Sequence, residues 1–448
     1  MKRTHVRYPD GHVLLRNLTR EYPVISHGEG PYLYDRAGKR YFDGSGGAMV
    51  MSIGHGVREV TDRIADQIRR VAYVNGQQFT NEPAEELAER LGVLAQSFGK
   101  MRSAFLASGS EAIEAAVKFA RQLHFERGET ERHKLIARVP SYHGNTLYAL
   151  SAGGRKHYKK YYGPLLSEVI TTPAPTEYRS AVHDYATDGA EYYARALEEA
   201  IVRAGPKTVS AFIVEPVIGS SAGAATPPPG YFERVQEVCR RHGVLVIADE
   251  ILCGAGRSGK FFASSLYGLN PDLIVLGKGI NGGYAALSVV MVREEHLAEM
   301  KKGTGYFMHA QTYLQAPCMA IAGVAVLDYM QKNRVLENAC TVGSVFQKRL
   351  REEILPLRGV GHIAGVGMLA GVEFVCDRVS KSPFPRAEKK AEALVAQAFQ
   401  NGLIVWPNVG HVDDQNGDLV MLAPPLNASI TQVEECVTLL ADSIRAVF

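Results

Sequence analysis

The stretch 244-VLVIADEILCGAGRSGKFFASSLYGLNPDLIVLGKGINGG-283 holds two short, almost wholly apolar runs, VLVIAD (244–249) and DLIVLG (272–277). Each is too short for a helix and rich in Val, Ile and Leu, the pattern of a strand buried on both faces of a parallel sheet. SAFLA (103–107), KLIARV (134–139), VSAFIVE (209–215) and LSVVMV (287–292) read the same way. Helical patterns over 58–71, 83–97, 111–127, 191–204 and 230–242 alternate with these runs. Sustained β–α alternation predicts an open, doubly wound α/β sheet. Downstream, the pattern predicts helices over 316–332, 335–355 and 385–402, with strands near 368–375 and 418–422. Upstream, YLYDRAGKRYFDGSGG (32–47) alternates around Gly38-Lys39 and predicts a hairpin. TPAPTE (172–177) and TPPPG (226–230) read as loops.

Composition narrows the classes. Glycine makes up 44 of 448 residues, with no Gly-X-Y period, which excludes a collagen-like chain. Fifty Lys+Arg against 47 Asp+Glu leave +3, and no basic run resembles a nucleic-acid patch. Six scattered cysteines form no C-x-x-C, so free thiols in a reducing compartment are expected. MKRTHVRYPDGH lacks the apolar core of a secretory signal, and APCMAIAGVAVL (316–327) is too short to span a bilayer. The expectation is a cytoplasmic protein with neither a membrane nor a nucleic-acid partner.

In an open parallel sheet, ligands bind beyond the carboxyl ends of the strands. The first strand ends in Ser108-Gly109-Ser110-Glu111 at a helix start, which serves an anion. It is equally an ordinary Ser-x-x-Glu capping box. The second ends in Ser141-Tyr142-His143-Gly144, and Tyr142 is either a ring plate or a packing residue. Glu215 and Asp249 close two further runs, as functional carboxylates or as caps. Lys278 closes DLIVLG, and its ammonium must leave the core or find a partner. An anion site, an aromatic plate, an acidic partner and a desolvated lysine on one rim are the set that pyridoxal 5′-phosphate needs. The lysine forms a Schiff base with its aldehyde, a carboxylate keeps its ring nitrogen protonated, and a helix start takes its phosphate.

Gly254 to Gly259 satisfies G-x-G-x-x-G, but Glu250–Cys253 intervenes after the strand and GKFFASS follows where a helix should open. Phe261 stands where a P-loop needs a hydroxyl. No H-E-x-x-H or Cys/His cluster marks a metal site, so none is expected.

VIADEILCGAGRSG followed by PDLIVLGKGINGG, with 29 positions from Asp249 to Lys278, resembles the signature of class III (ω-type) aminotransferases, pyridoxal-phosphate enzymes of fold type I. The likeness extends through YFDGSGGAMVMSIGHG, ASGSEAIEAAVKFAR, SYHGNTLYAL, IVEPV, HAQTYLQAP and LVMLAPPL. The resemblance implies a mostly parallel central sheet in a large cofactor domain, 58–333. It also implies a smaller α/β domain built from both chain ends, 1–57 and 334–448. Lys278 would carry the Schiff base, and Asp249 would face the pyridine nitrogen. Ile251 and Tyr142 would lie on opposite ring faces, with His143 beside the cofactor and Glu215 near its hydroxyl side. Gly109 and Ser110 would bind the phosphate. Thr312 would reach the cofactor of a neighbouring subunit, making a homodimer the catalytic unit, with pairing into tetramers left open.

The implied activity moves an amino group from an amine or ω-amino acid to an oxo acid such as pyruvate or 2-oxoglutarate. Racemases, aminomutases and decarboxylases of the same fold use the same lysine and aspartate, and a nicotinamide-dependent oxidoreductase would rest on Gly254–Gly259 alone. Many relatives place a carboxylate-clamping arginine in an Arg-Pro pair where this chain has Trp406-Pro407. An indole cannot pair bidentately with a carboxylate. Either another cation takes that part or the substrate's far end is apolar, with Trp406 as pocket wall or packing residue. Arg257 is the other candidate near the pocket, with a surface position as the alternative.

Overall fold

The structure is a computed structural model, and it describes residues 3–448 apart from the side chains of Lys156 and His157. Near the N-terminus, β1 (Ile25–Glu29), β2 (Tyr32–Asp35) and β3 (Arg40–Phe42) form an antiparallel sheet, so the expected hairpin is present. Gly38 sits in its turn at φ +86°, a conformation that favours a residue without a Cβ.

The central sheet has seven strands. They are β4 (Met101–Leu106), β5 (Lys134–Val139), β6 (Ile170–Pro173), β7 (Val209–Val214), β8 (Leu245–Asp249), β9 (Leu273–Leu276) and β10 (Ser288–Arg293). Their order is β4-β10-β9-β8-β7-β5-β6. All are parallel except β10, which runs against both neighbours. LSVVMV was expected to be one more parallel strand, and its direction corrects that reading. A parallel neighbour needs a crossover of roughly a dozen residues or more, usually helical. Only a short 3-10 turn, Lys278–Ile280, and a loop separate β9 from β10. The fold is α/β with a mostly parallel sheet, as expected. Strand β6 also takes in Thr172 and Pro173, the start of a piece read as a loop.

Burial follows the pleat of the central strands. Leu245, Ile247, Leu273, Val275, Ala211 and Ile213 face one side, where they pack on Ile113, Ala116 and Phe119 of α1 (Gly109–Glu126). Val246, Ala248, Ile274, Leu276, Phe212 and Val214 face the other side. There they join Leu197 of α2 (Tyr185–Ala204), Val235 of α3 (Tyr231–His242) and Val324 of α4 (Pro317–Lys332).

A second core joins the chain ends. The strands β11 (Val360–Val366), β12 (Leu369–Phe374), β13 (Trp406–Val409) and β14 (Asp418–Leu422) form an antiparallel sheet in the order β11-β12-β14-β13. Their apolar face packs with Phe346 of α5 (Val335–Arg349), Leu394 of α6 (Lys390–Gln400) and Val437 of α7 (Ile430–Val447). Phe42, Ile53 and Val60 belong to the same cluster. Phe42 N–H donates to Gly402, Ile404 N–H to Phe42 and Ala423 N–H to Gly44, tying the early segment to the late one. The expected helix 335–355 is α-helical only to Arg349 and widens into a π turn over Leu350–Ile354. Among the described residues, no helix is long and apolar enough to cross a membrane.

Candidate active site

Five strand ends converge at the carboxyl edge of the central sheet. Asp249 closes β8 and is 3% exposed. Its Oδ2 lies 2.8 Å from His143 Nδ1, and its Oδ1 accepts from the Ile251 N–H at 3.1 Å. Past the end of β5, the Tyr142 N–H donates to Glu215 Oε1 at 3.1 Å, while the Gly219 N–H donates to Oε2 at 2.8 Å. Glu215 thus braces two loops that carry the rim. Burial pushes its carboxyl above the ordinary range; His143 opposes this and the charge of Asp249 reinforces it.

Lys278 follows β9 at φ +46°. A residue with a Cβ in this left-handed region carries strain of about 1–3 kcal/mol, which the surroundings must hold in place. Ser52 Oγ donates to the Gly279 carbonyl at 2.8 Å and pins the turn. Burial lowers the Lys278 ammonium pKa, and the nearby charges of Asp249 and Glu215 act against that shift.

The start of α1 is both things its sequence allowed. The capping box forms: Ser108 Oγ accepts from the Glu111 N–H at 3.3 Å, and Glu111 Oε2 accepts from the Ser108 N–H at 3.0 Å. The same turn faces the rim. A Cβ on Gly109 would stand 2.9 Å from Ile251 Cδ1, so the Ile251 side chain lies directly against this helix start. Ser110 Oγ accepts from the Asn145 N–H at 2.9 Å, which ties the helix start to the loop of Tyr142 and His143. The positive end of the helix dipole and this crowded, glycine-lined surface suit an anionic group.

Three expected residues lie apart from this cluster. Thr312 is exposed in the loop before α4. Arg257, expected near a pocket entrance or on the surface, is 2% exposed. Its Nη1 donates to the carbonyls of Met368 (3.2 Å) and Pro424, where it ties the glycine-rich loop to the second sheet. Burial lowers its pKa to about 10, opposed by Asp43. Trp406 opens β13 and packs against a cluster containing Met49, Leu252 and Met421, its Nε1 buried without a hydrogen-bond partner. Gly254–Gly259 lies in consecutive turns with no α-helix following, so the dinucleotide reading fails on structure as well as on spacing.

Two residues here were not singled out from sequence. Glu250 accepts from the N–H groups of Ala263 (2.7 Å) and Ser264 (2.6 Å), and burial pushes its carboxyl up to about 7. Its position directly after Asp249 was the available signal. Arg155 sits with its guanidinium carbon 4.9 Å from the centre of the Tyr142 ring. Nothing in GGRKHY marks it as different from a surface basic residue. A separate cavity of 310 Å³ beyond β5 and β6 is lined by Arg179, His362, Glu373 and His411, and contains none of the expected site residues. Among the described residues, no His/Cys/Asp/Glu group is arranged to hold a metal ion.

A partly desolvated lysine, an aspartate oriented by a histidine, an aromatic ring and a helix start therefore share one rim. The model of the aminotransferase class-III family matches residues 16–444. The uncharacterised aminotransferase YodT of Bacillus subtilis is 39% identical over 432 residues, covering 96% of each chain. A hypotaurine/taurine–pyruvate aminotransferase of Paracoccus denitrificans is 31% identical, covering 95% of this chain and 92% of its own. The crystal structure of an (S)-enantioselective ω-transaminase from Thermomicrobium roseum superposes with a TM-score of 0.88 at 33% identity, covering 95% and 93% of the two chains. The rim at the carboxyl edge and these matches along almost the entire length give one answer: the chain is a class-III aminotransferase.

Proposed function

We propose that the enzyme uses pyridoxal 5′-phosphate to move an amino group from an amine or ω-amino acid to an oxo acid such as pyruvate or 2-oxoglutarate. The observation that carries this reading is Lys278, strained and desolvated at a buried strand end, facing the charges of Asp249 and Glu215. The residues present fit that cofactor. The α1 start with Gly109 and Ser110 suits its phosphate, Tyr142 and Ile251 offer two apolar faces, and Asp249 is a fixed, buried carboxylate for its ring nitrogen. When bound, it supplies an aldehyde that condenses with amines and a protonated ring that accepts an electron pair.

The chain supplies the rest. Burial lowers the Lys278 ammonium pKa from its ordinary value, so Nζ gives up its proton more readily, as a group that acts as general base and acid must. The bond from His143 keeps Asp249 in one orientation, and Glu215 holds the Tyr142 loop at its proper distance. The exposure of Thr312 in a single chain supports a homodimer in which it completes the neighbouring site. The shared core of Phe42 and Phe346 supports a small domain made from residues 1–57 and 334–448 beside a large one of 58–333.

The test is a half-reaction screen. Purified enzyme loaded with cofactor is mixed with panels of amines, and loss of its yellow band is followed together with carbonyl product and, on adding pyruvate, alanine. Transfer of the amino group is expected, and Lys278→Ala should lack the borohydride-reducible chromophore. A Lys278→Ala protein that keeps both chromophore and turnover ends this reading. Release of carbon dioxide in place of an oxo product would move the enzyme to a decarboxylase.

A further inference from the structure

Arg155 lies beside the rim and, among the described residues, has no ionic partner. Its guanidinium stacks 4.9 Å from the Tyr142 ring centre, and Nη2 donates to Ser220 Oγ at 2.6 Å. Its Nε is shielded from solvent and has no hydrogen-bond partner among the described residues. Among the described residues, no carboxylate forms an ion pair with it. Its charge reaches the site, because it is one of the groups that lower the pKa of Lys278. A second cation extends the positive side: Arg16 Nη2 donates to Tyr158 Oη at 2.6 Å, and both guanidiniums lie within about 6 Å of the Tyr158 ring.

An arginine remains charged at any working pH, and a shielded guanidinium N–H without an acceptor is costly. Its planar fork matches a carboxylate, and a pair of that kind is about twice as strong as neutral hydrogen bonds. Trp406 is an indole in an apolar cluster and offers a carboxylate no cation, while Arg257 is occupied by the carbonyls of Met368 and Pro424.

We propose that Arg155 receives the carboxylate of the substrate, selecting an oxo acid and its amino-acid counterpart over amines that carry no carboxylate. This rests on the transaminase reading above. Ser220 and Tyr142 orient the guanidinium: the hydroxyl holds one end, and the ring holds the plane. The anion supplies the ion pair that this half-buried guanidinium lacks among the described residues.

The experiment compares holoenzyme of the wild type, Arg155→Gln and Arg155→Lys. For each, kcat/KM is measured in the half-reaction with alanine and with 1-phenylethylamine, and the KM for pyruvate in the full reaction. Cofactor loading is read from absorbance. Arg155→Gln should lower the ratio of alanine to 1-phenylethylamine specificity by about tenfold or more and raise the pyruvate KM, with Arg155→Lys falling between. Loading should stay equal across the three. An unchanged ratio overturns the proposal, as does equal loss with both amines. Reduced cofactor loading in Arg155→Gln overturns it too, because the cation would then be holding the cofactor phosphate. If the wild type performs no amino transfer, the transaminase reading itself fails; a transferring wild type with an indifferent Arg155→Gln removes only this inference.

Discussion

His143 Nδ1 and Asp249 Oδ2 are 2.8 Å apart, and neither side chain is more than 3% exposed. The two residues come from different strand ends, 106 positions apart in sequence. Their bond joins the loop after β5 to the end of β8. Removing the imidazole leaves a buried carboxylate oxygen without its donor. A hydrogen bond to a charged group is worth about 1.5–3 kcal/mol, so His143→Ala should lower kcat by roughly tenfold to a hundredfold. Steady-state kinetics alongside an unfolding curve separates this from simple loss of fold. Unchanged kcat would falsify the positioning role.

Gly109 is small because Ile251 occupies the space beyond it. Gly109→Ala brings a methyl group to 2.9 Å from Ile251 Cδ1, closer than carbon atoms tolerate. Overpacking of this kind costs about 1–3 kcal/mol, which corresponds to roughly a tenfold or greater weakening of cofactor affinity if the helix start shifts. Adding Ile251→Ala should recover part of the loss. Titration of the apoprotein with pyridoxal phosphate, followed by absorbance, measures both; the idea falls if the double variant binds no better than the single one.

Glu250 makes stability depend on pH. Burial raises its pKa from 4.5 to about 7 in the folded chain. A carboxyl raised on folding contributes stability that is complete below its unfolded pKa and is lost as pH rises through about 7. At about 1.4 kcal/mol per unit, the effect is roughly 3 kcal/mol. Glu250→Gln should therefore lose less stability than the wild type between pH 5 and pH 8 in urea unfolding. Parallel pH curves for the two proteins would count against this account.

The cysteines should divide by burial. Cys340 and Cys376 are exposed, while Cys239, Cys253 and Cys436 are buried with thiol pKa values pushed well up by desolvation. Reactivity follows thiolate character and access. A thiol reagent on the native protein should modify Cys340 and Cys376 first, reach Cys318 more slowly, and reach the buried three only on unfolding. Early labelling of Cys253, located by peptide mass analysis, would contradict this order.

The strand ends were legible because each couples a short apolar run to a residue that does not belong in a core. Asp249, Glu215 and Lys278 could be picked out this way, and the structure brings them to one edge. The direction of β10 was not legible, since burial on both faces gives the same composition whichever way a strand runs. Its direction is set by the brevity of the link from β9. The strands β11 and β13 were hidden for another reason: their burial is uneven, and β13 contains a proline. Arg155 could not be read locally, because its partners are Tyr142 on an earlier loop and Ser220 on a later one. Arg257 looked accessible in a glycine-rich loop, yet that loop is folded beneath the second sheet, where carbonyls of Met368 and Pro424 receive the guanidinium.

The core shared by Phe42, Phe346 and Val437 has a consequence for biosynthesis. During translation the central sheet has all its strands once Arg293 has emerged. Phe42 and Ile53, made earlier, cannot complete their packing until the helix Ile430–Val447 is released from the ribosome. Phe42 and Ile53, made before every strand of the central sheet, are therefore covered after it, and in that interval they stay open to chaperones or to a second nascent chain.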